Sequence, residues 1–446
     1  MGRVALRTVY LKRWAVLHLT DCARLWSIAR ARGAATATVD NRAAISQRIV
    51  AMSQQQRPAL ERWISRALGD QEDTGLGSGW ISGTFSIFLG SLALLGVLAF
   101  WFPGLLTTAE FRARYPIQVL RIVLEIAIVV AFALGALSMV QRRRKVLGLT
   151  GVAISLIALM AGGGQVPIHS EFDQRFTLGV DWFVLNLLLL ALVFIPMERA
   201  FPRLRGQTTF RFGWTTDGAH FLVSHMAVQA LTFMTLLPAT LLAPHWQPIA
   251  LQEAIRGQPL MAQFLEIVLV SDLFQYWIHR AFHQVPALWR FHAIHHSSRV
   301  VDWLAGSRLH VVDVLATRSL VFVPVFLLGF SESALYGYLV FVSFHAVLLH
   351  ANVRWSFGWL DHVVATPRVH HWHHAVAPVD RNFAVHLPVL DRLFGTQHLP
   401  EGQAFPAEYG LDGHPVPEGW GKQLVYPFGH RAAPPEPTNP ATPRSG

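Results

Sequence analysis

Apolar residues are concentrated in eight long runs that follow a polar N-terminal segment. Residues 1–79 contain no run of spanning length, whereas a helix that crosses a bilayer needs about 20 predominantly apolar residues. The pattern predicts an all-α protein, a polytopic membrane helical bundle in which some of the shorter runs are re-entrant or half-buried. The runs are residues 80–102, 117–140, 146–163, 176–197, 218–242, 264–278, 311–330 and 334–349.

Basic residues are concentrated in two of the loops between these runs. Residues 142–145 read Arg-Arg-Arg-Lys, and Arg199, Arg203, Arg205 and Arg211 follow the fourth run. Cytoplasmic loops of membrane proteins carry an excess of Lys and Arg. We therefore expect these loops and the N-terminus to be cytoplasmic, together with residues 279–310 and everything after residue 350.

Composition narrows the possible functions. The chain is 52% hydrophobic and only 14% charged, which excludes a soluble globular enzyme. The net charge of +10 does not predict nucleic-acid binding, because the basic residues do not form one stripe. Cys22 is the single cysteine, so a metal site in this chain must use nitrogen or oxygen ligands.

Histidine is the unusual residue type in this sequence. Fifteen of the 22 His lie between positions 279 and 398, and most of them form three clusters. The first cluster is HX3H, with Asp272 and Tyr276 on the same face of a helix. The second and third clusters each place imidazoles at i, i+3 and i+4, again on one helical face. The cluster members are His279 and His283; His292, His295 and His296; and His370, His371, His373 and His374.

The number of these imidazoles indicates two metal ions. The clusters supply two, three and three nitrogens, whereas one structural zinc needs four ligands and a catalytic zinc three. Imidazole suits iron, copper, nickel and zinc, so the pattern leaves the metal open. No Glu-x-x-His occurs in the chain, which excludes a carboxylate-bridged di-iron bundle, and no His-Glu-x-x-His occurs, which excludes the common zinc protease.

In their order, the three clusters resemble the histidine boxes of the fatty acid hydroxylase/sterol desaturase superfamily of integral-membrane non-haem di-iron oxygenases. The resemblance covers roughly residues 180 to 400. Shorter motifs extend it: Arg211 to Asp217 leading to His220, Thr366-Pro367-Arg368 before the last cluster, and Asn382-Phe383 with Leu393-Phe394-Gly395-Thr396 after it.

The resemblance implies a set of metal ligands and supporting residues. It implies iron ligands at His279, His283, His292, His295, His296, His370, His373 and His374, with His350 and then His345 as further ligands. His310 lies where family members carry a histidine, but Val311, Val312 and Asp313 follow it in place of the usual Pro and Glu. His371 is expected to point away from the ligands, either behind them or exposed. Side chains expected to support the ligands are Asp272, Tyr276, Arg280, Asp302, His310 and Asn382.

The resemblance also implies a chemistry and its partners. Two non-haem irons would use O2 as co-substrate to hydroxylate or desaturate a lipid from the bilayer. Two electrons would come from a separate cytochrome b5-like or ferredoxin-like protein, because the His-Pro-Gly-Gly of a fused cytochrome b5 is absent. Sterol desaturation and ether-lipid monooxygenation stay open, and a His-rich membrane metal transporter or sensor is the alternative from another class. A bacterial inner membrane is the expected location.

We expect four regions along the chain. Residues 1–79 form a polar, Arg-rich segment that suits an organelle transit peptide or a cytoplasmic surface segment, unless translation starts at Met52. Residues 80–175 are accessory transmembrane helices and residues 176–400 the catalytic domain. Residues 401–446 are a C-terminal extension whose Pro-rich tail, from residue 432, is expected to be disordered.

Overall fold

The structure is a computed structural model, and it describes residues 77–107, 116–167, 180–230, 232–246, 248–412 and 416–429. Most of the polar N-terminal segment, with Cys22 and Met52, lies outside the described residues, as does the Pro-rich tail. The four region boundaries therefore stay predictions.

The described residues form helices joined by turns and loops, with no β-strand among them, and the expected all-α class is confirmed. In chain order the α-helices of five or more residues are α1 Trp80–Trp101, α2 Ile117–Gln141, α3 Val146–Met160, α4 Val180–Ala200, α5 Trp214–Ala230, α6 Thr232–Leu242, α7 Ile249–Arg256, α8 Leu260–Gln284, α9 Pro286–His296, α10 Val311–Leu328, α11 Glu332–His350, α12 Pro367–His373, α13 Val389–Leu393 and α14 Trp420–Val425.

Helices α1, α2 and α3 pack against one another around a small apolar core. Val97, Phe100, Leu124, Ile128 and Ala158 are buried in it. Elsewhere in this bundle small residues let the backbones approach closely, which is how helices commonly associate in lipid. A Cβ added at Gly151 would lie 2.0 Å from the Ser86 Oγ atom, and one at Gly148 would lie 2.5 Å from the Gly135 carbonyl oxygen.

The histidine-bearing part is built around α8, α10 and α11. Helix α8 packs against α9, α10 and α11, and α12 packs against the end of α11. Gly329, at φ +67°, ends α10 in the left-handed conformation that glycine adopts freely. Helix α11 begins three residues later, at Glu332, and both α10 and α11 pack against α8.

Helix α8 shows why the first histidine cluster faces the interior. Asp272, Tyr276 and His279 are all buried, at the three- and four-residue spacing of one helical face. Phe274 and Trp277 lie between them in sequence and are exposed. The polar stripe therefore points into the bundle, while apolar side chains cover the outer face of the helix.

Six of the described helices are long and apolar enough to cross a bilayer. They are Trp80–Trp101, Ile117–Gln141, Val146–Gln165, Phe183–Ala200, Val311–Leu328 and Glu332–His350. Of the other two apolar runs, the described residues of 218–242 are helical on both sides of residue 231, in α5 and α6, and residues 264–278 lie within α8.

Candidate metal centre

Histidines from four helices meet where these helices end. The last turn of α8 carries the first cluster, the last turns of α9 the second, and α12 with its C-cap the third, while α11 ends on His350. Proline at the first position starts both α9 and α12, where the missing N–H costs nothing. Short helices with defined starts thus place three imidazoles each in the same region of the bundle.

The first of two groups contains five imidazoles. His279, His283, His292, His296 and His373 each offer a ring nitrogen, and these nitrogens all lie within 4.8 Å of one another. We call this set the five-histidine group. It combines one or two residues from each of α8, α9 and α12.

The second group contains four buried imidazoles: His295, His350, His370 and His374. Their Nε2 atoms face one another, with separations of 3.0 Å from His370 to His350 and 3.1 Å from His350 to His374. We call this set the four-histidine group. The two groups adjoin, since the rings of His296 and His374 stack with centroids 4.5 Å apart.

Hydrogen bonds at Nδ1 fix the tautomer of most of these rings. The Nδ1–H groups of His279 and His373 donate to the carbonyl oxygens of Phe383 and Arg381, both at 2.8 Å. Those of His350 and His295 donate to the carbonyls of Ala346 and Arg308 at 2.8 and 3.3 Å. Protonation at Nδ1 leaves Nε2 with a free lone pair, which is the form that binds a metal.

The facing Nε2 atoms are suited to a cation. Nε2 of His279 lies 3.1 Å from Nε2 of His292, although both rings already donate through Nδ1. Two acceptors at this distance repel unless a positive charge lies between them. In addition, the Nε2 atoms of His283, His296 and His373 are buried without a hydrogen-bond partner. An all-nitrogen donor set of this kind fits iron, zinc, copper or nickel.

Burial keeps these imidazoles neutral. It lowers the pKa of His295, His296, His370, His373 and His374 well below the usual value of 6.5, and nearby imidazoles lower each pKa further. A neutral ring is the ligand form, since a protonated imidazole has no lone pair to give. The site is therefore prepared to bind metal at neutral pH.

Asp313, on the first turn of α10, is a supporting residue that the sequence analysis did not assign. Its Oδ2 accepts a hydrogen bond of 2.8 Å from Nδ1 of His292, and both side chains are buried. A carboxylate behind a ligating imidazole orients the ring and raises its basicity. The sequence contained a signal for this role. Where the usual pattern has Pro and Glu after His310, this chain has Val311, Val312 and then the acidic residue Asp313.

Asp272 and Asn382 support the ligands through one loop, residues 381–387. The carboxylate of Asp272 accepts the backbone N–H groups of residues 385, 386 and 387 at 2.9, 3.0 and 2.6 Å. Asn382 adopts φ +55°, and its side-chain amide donates to the carbonyls of Val369 and His398. This fixes the two neighbouring carbonyls, of residues 381 and 383, that receive the protons of His373 and His279.

Tyr276 and Arg280 lie one turn apart on α8 and contact each other rather than the imidazoles. The Tyr276 hydroxyl lies 3.0 Å from the Thr396 Oγ1 atom, and Arg280 donates to the same hydroxyl at 3.2 Å. Thr396 in turn donates to Asp391, whose carboxylate accepts the backbone N–H of Phe383. Tyr276 and Arg280 therefore support the imidazoles indirectly, because through Thr396 and Asp391 they hold the segment that follows the third cluster.

Asp302 belongs to a buried ionic network that the sequence analysis did not predict. It accepts from Nε of Arg211 at 2.7 Å, and Arg211 also binds Asp217 at 2.6 Å. Arg308 donates to the other oxygen of Asp217. The carbonyl of Arg308 is the acceptor for His295, so this network holds the loop that positions one ligand.

Glu198, at the end of α4, ties two other segments of this region together. Its Oε1 accepts the backbone N–H groups of Trp303 and Asn352, both at 2.8 Å. Trp303 directly follows Asp302 in the sequence, and Asn352 lies two residues after His350. A single buried carboxylate thereby links the α9–α10 loop to the end of the helix that carries His350.

The structure places three further candidate histidines outside the two groups. The Nδ1 of His345 pairs with Nδ1 of His386 at 2.9 Å, and its Nε2 donates to the Ala365 carbonyl. His310 caps α10 by accepting the Val312 N–H and bonds the Leu424 carbonyl, so it supports the fold rather than a ligand. His371 belongs to neither group and is fully buried, with its Nδ1 atom 2.6 Å from the Tyr409 hydroxyl.

Comparison with known proteins gives a consistent result. Residues 264–396 match the family model for fatty acid hydroxylases. The chain is 30% identical over 278 residues to the ornithine lipid hydroxylase OlsE of Rhizobium tropici, covering 58% of this chain and 80% of that protein. It is 30% identical over 159 residues to the alkylglycerol monooxygenase of Danio rerio, covering 35% of this chain and 34% of that one.

A more distant relative is the probable Delta(7)-sterol 5(6)-desaturase of Neurospora crassa. The identity is 25% over 146 residues, which cover 33% of this chain and 41% of that protein. No solved structure gives a significant match to the chain.

Proposed function

The chain belongs to the fatty acid hydroxylase family, and from that premise we propose that it is a di-iron lipid hydroxylase that uses O2 and an external electron donor. Family membership and the six apolar helices make it a multi-pass membrane oxidoreductase that hydroxylates or desaturates a lipid. The two irons, the O2 requirement, the ligand assignment and the donor are the proposed part.

One observation carries the proposal. Nine buried imidazoles form two adjoining groups, of five and four, whose nitrogens converge without any carboxylate among them. Two groups fit two ions better than one, because no single ion takes nine ligands. We propose all nine as ligands, with His350 included and His345 left out.

The protein contributes position, protonation state and exclusion of water. Iron bound there would supply the activation of O2, in the balance R–H + O2 + two electrons + two protons giving R–OH + H2O. Carbonyls and carboxylates at Nδ1 hold each imidazole neutral and correctly turned. Buried Trp289 and Phe383 lie against the five-histidine group and shield it from water.

We also propose that the groups face the cytoplasm of a bacterial cell, with the protein in the inner membrane. The basic loop at residues 142–145 and the basic residues after α4 lie on the same side as both histidine groups when six crossings are counted. On that side a soluble or membrane-bound cytochrome b5-like or ferredoxin-like donor can reach the site.

The alternative of a metal transporter or sensor gains no support from the geometry. Transport sites lie near the bilayer midplane on broken helices. Here the imidazoles lie at the ends of α8, α9 and α11 and on α12, which is too short to cross a membrane.

The proposal is tested with detergent-purified, iron-reconstituted protein, a chemical reductant and isotopically labelled O2. We expect O2 consumption that requires reductant, and a lipid product that has gained one labelled oxygen atom. Loss of two hydrogens instead would identify a desaturase, and release of an aldehyde from an ether lipid would identify ether cleavage. His373→Ala should abolish turnover, whereas exposed His362 provides the matched control, His362→Ala. No O2 consumption after iron reconstitution, with zinc or copper retained, would overturn the oxygenase.

A further inference from the structure

Five large apolar side chains are exposed in the loop between α11 and α12. This loop, residues 351–366, connects the helix that ends on His350 to the helix that carries the third histidine cluster. Trp359 is 72% exposed, the most of the five. Contiguous exposed apolar side chains usually mark a surface that contacts another protein or a membrane. The five side chains, which we call the apolar loop face, are Phe357, Trp359, Leu360, Val363 and Val364.

A buried carboxylate holds this loop from the inside. Asp361 is fully buried, and its oxygens accept hydrogen bonds from the Ser356 hydroxyl at 3.1 Å and from the Phe357 backbone N–H at 3.2 Å. The same carboxylate accepts the Thr366 hydroxyl at 2.9 Å and the Arg368 guanidinium at 3.3 Å. One interior side chain thus fixes the chain from residue 356 to residue 368, while the apolar side chains around it in sequence are directed outward.

The loop begins where two membrane-crossing helices end. Val353 forms an isolated β-bridge with Pro202, just after α4. The Arg354 N–H donates to the Phe201 carbonyl at 3.1 Å, and the ring of Phe201 packs on Trp355 with centroids 5.6 Å apart. Helices α4 and α11 are both among the apolar spans. Aromatic rings gathered at the ends of spanning helices are typical of the boundary between membrane and water.

The loop then returns to the level of the last turns of α11. The Ala365 carbonyl accepts the Nε2–H of His345 at 2.9 Å. His345 lies five residues before His350, about 7–8 Å back along the helix axis, and it belongs to the membrane-crossing range Glu332–His350. The chain between these two contacts carries the apolar loop face, so this face lies beside the end of a membrane-crossing helix.

We propose that the apolar loop face is inserted into the bilayer, at the headgroup boundary of the leaflet in which α4 and α11 end. Trp rings prefer this boundary, and Phe and Leu accompany them on surfaces that enter it. Arg354 is exposed beside the face, where its stem can lie along lipid while its guanidinium pairs with lipid phosphate. The inference goes beyond the proposed function and does not depend on it.

Insertion at this point would place the start of α12 directly behind the membrane surface. Thr366, which bonds Asp361, is the N-cap residue of α12, and His370 follows four residues later. His362 is exposed, but its Nδ1 lies 3.4 Å from the Gln397 side chain, and it is not part of the apolar loop face. Lipid contact and the third histidine cluster therefore belong to one fixed segment of the chain.

Fluorescence quenching in lipid nanodiscs tests the inference without turnover. The chain has a single cysteine, Cys22, so the Cys22→Ser background lets Trp359→Cys or Val363→Cys alone carry a nitrobenzoxadiazole label. The discs contain phosphatidylcholine and phosphatidylglycerol. Doxyl-labelled lipid is the quencher inside the bilayer, and iodide is the quencher in water. We expect strong doxyl quenching at both positions, with iodide quenching several-fold weaker than at a site in water.

Two further labelled positions calibrate the result. Val340→Cys lies on the exposed face of α11 within its membrane-crossing range, and doxyl lipid alone should quench it. Glu401→Cys lies in an exposed turn, and iodide alone should quench it. Because Trp359 and Val363 are substituted separately, a change in the loop caused by loss of the indole ring would leave the second position to decide.

Two results would overturn the inference. Iodide quenching at Trp359→Cys and Val363→Cys as strong as at Glu401→Cys would show that the face lies in water. Weak quenching by both agents would show that protein covers it, either another segment of the chain or a second copy. The proposed function is tested separately, since lipid contact in a protein that consumes no O2 would contradict the oxygenase alone.

Discussion

Helices α1, α2 and α3 contact one another through glycine and serine. The helices around the histidines instead bury charged side chains and imidazole rings. Ser86 donates to the Ala131 carbonyl at 2.6 Å and Ser138 to the Gly79 carbonyl at 2.7 Å. The other contacts come from the close approach of helix backbones at glycine residues. Around the metal groups, by contrast, carboxylates of Asp302 and Asp313 hold arginine and histidine side chains in fixed positions.

The two regions differ in what their contacts specify. Small-residue packing needs only complementary surfaces, and it tolerates a shift of one helix against another by a fraction of an ångström. Nine imidazoles that point at two metal ions, as proposed, would not tolerate such a shift. Each ring whose Nδ1 partner is a carbonyl or carboxylate is fixed in two respects, its orientation and its tautomer. Four variants, ordered by the size of the expected effect, test this difference.

Removing a carboxylate from the ionic network should have the largest effect. Asp302→Ala leaves Arg211 and Arg308 to share the single carboxylate of Asp217 in a buried site, and one uncompensated buried charge of this kind costs about 3–5 kcal/mol. We expect a sharp loss of folded protein, measured by thermal unfolding and size exclusion in detergent. The double variant Arg211→Met with Asp302→Leu should recover part of this stability, and a wild-type unfolding temperature for Asp302→Ala would show that the network stabilises nothing.

Asp313→Asn should affect metal binding more than folding. The amide keeps the shape of the carboxylate but accepts a weaker hydrogen bond from His292, and loss of such support lowers metal affinity by about 10- to 100-fold. Iron titration of the apoprotein measures this. Thr317 also bonds Asp313, at 3.2 Å, so Thr317→Val is the matched control, and it should bind iron nearly as the wild type does. Equal iron affinities in Asp313→Asn and the wild type would show that Asp313 does not support metal binding.

Overpacking α1–α3 should reduce stability while the iron content stays the same. A Cβ at Gly151 would lie 2.0 Å from Ser86 Oγ, so Gly151→Val should cost about 1–3 kcal/mol, seen as a lower unfolding temperature. Gly218 on α5 has no atom within 4 Å of an added Cβ, and Gly218→Ala should be neutral or slightly stabilising. Release of iron by Gly151→Val would show that the packing of α1–α3 and the metal centre are not independent of each other.

The smallest effect is expected behind the third cluster. Tyr409→Phe removes the hydroxyl that pairs with Nδ1 of His371, at a cost of about 1 kcal/mol. His371 does not belong to either group, so both Tyr409→Phe and His371→Ala should keep their iron. Iron loss in His371→Ala as large as that in His373→Ala or His295→Ala would count against the ligand assignment.

The sequence predicted much of the helical fold because apolar runs and basic loops mark helices in a membrane directly. The run at residues 80–102 became Trp80–Trp101, and the run at residues 117–140 became Ile117–Gln141. The shorter run at residues 264–278 lies within α8, which is not among the six apolar spans found in the described part of the chain.

The grouping of the histidines depends on how four helices are arranged, and no spacing encodes that. Neighbours His295 and His296 belong to different groups, and His373 joins the other group from His370 and His374. His345 is a candidate ligand that the geometry of a single helix disfavours. It lies five residues before His350 on α11, about 140° around a helix of 3.6 residues per turn, so the two rings could not face the same ion.

The contact from Asp313 to His292 joins two helices 21 positions apart in sequence. Residue spacing predicts which side chains share one helix face, but it does not predict which helix lies opposite. The same reason applies to Glu198 and Asn352, which lie 154 positions apart. Supporting residues of this kind become visible only in the folded chain.

The most direct test of the account is the iron content per chain of the reconstituted wild type, His350→Ala and His345→Ala. Both substitutions remove a buried imidazole from α11, and only His350 belongs to a histidine group. The account predicts two irons in the wild type, two in His345→Ala, and a loss of about one in His350→Ala. A single iron in the wild type, or equal loss in the two variants, would contradict the assignment of nine histidines to two metal ions.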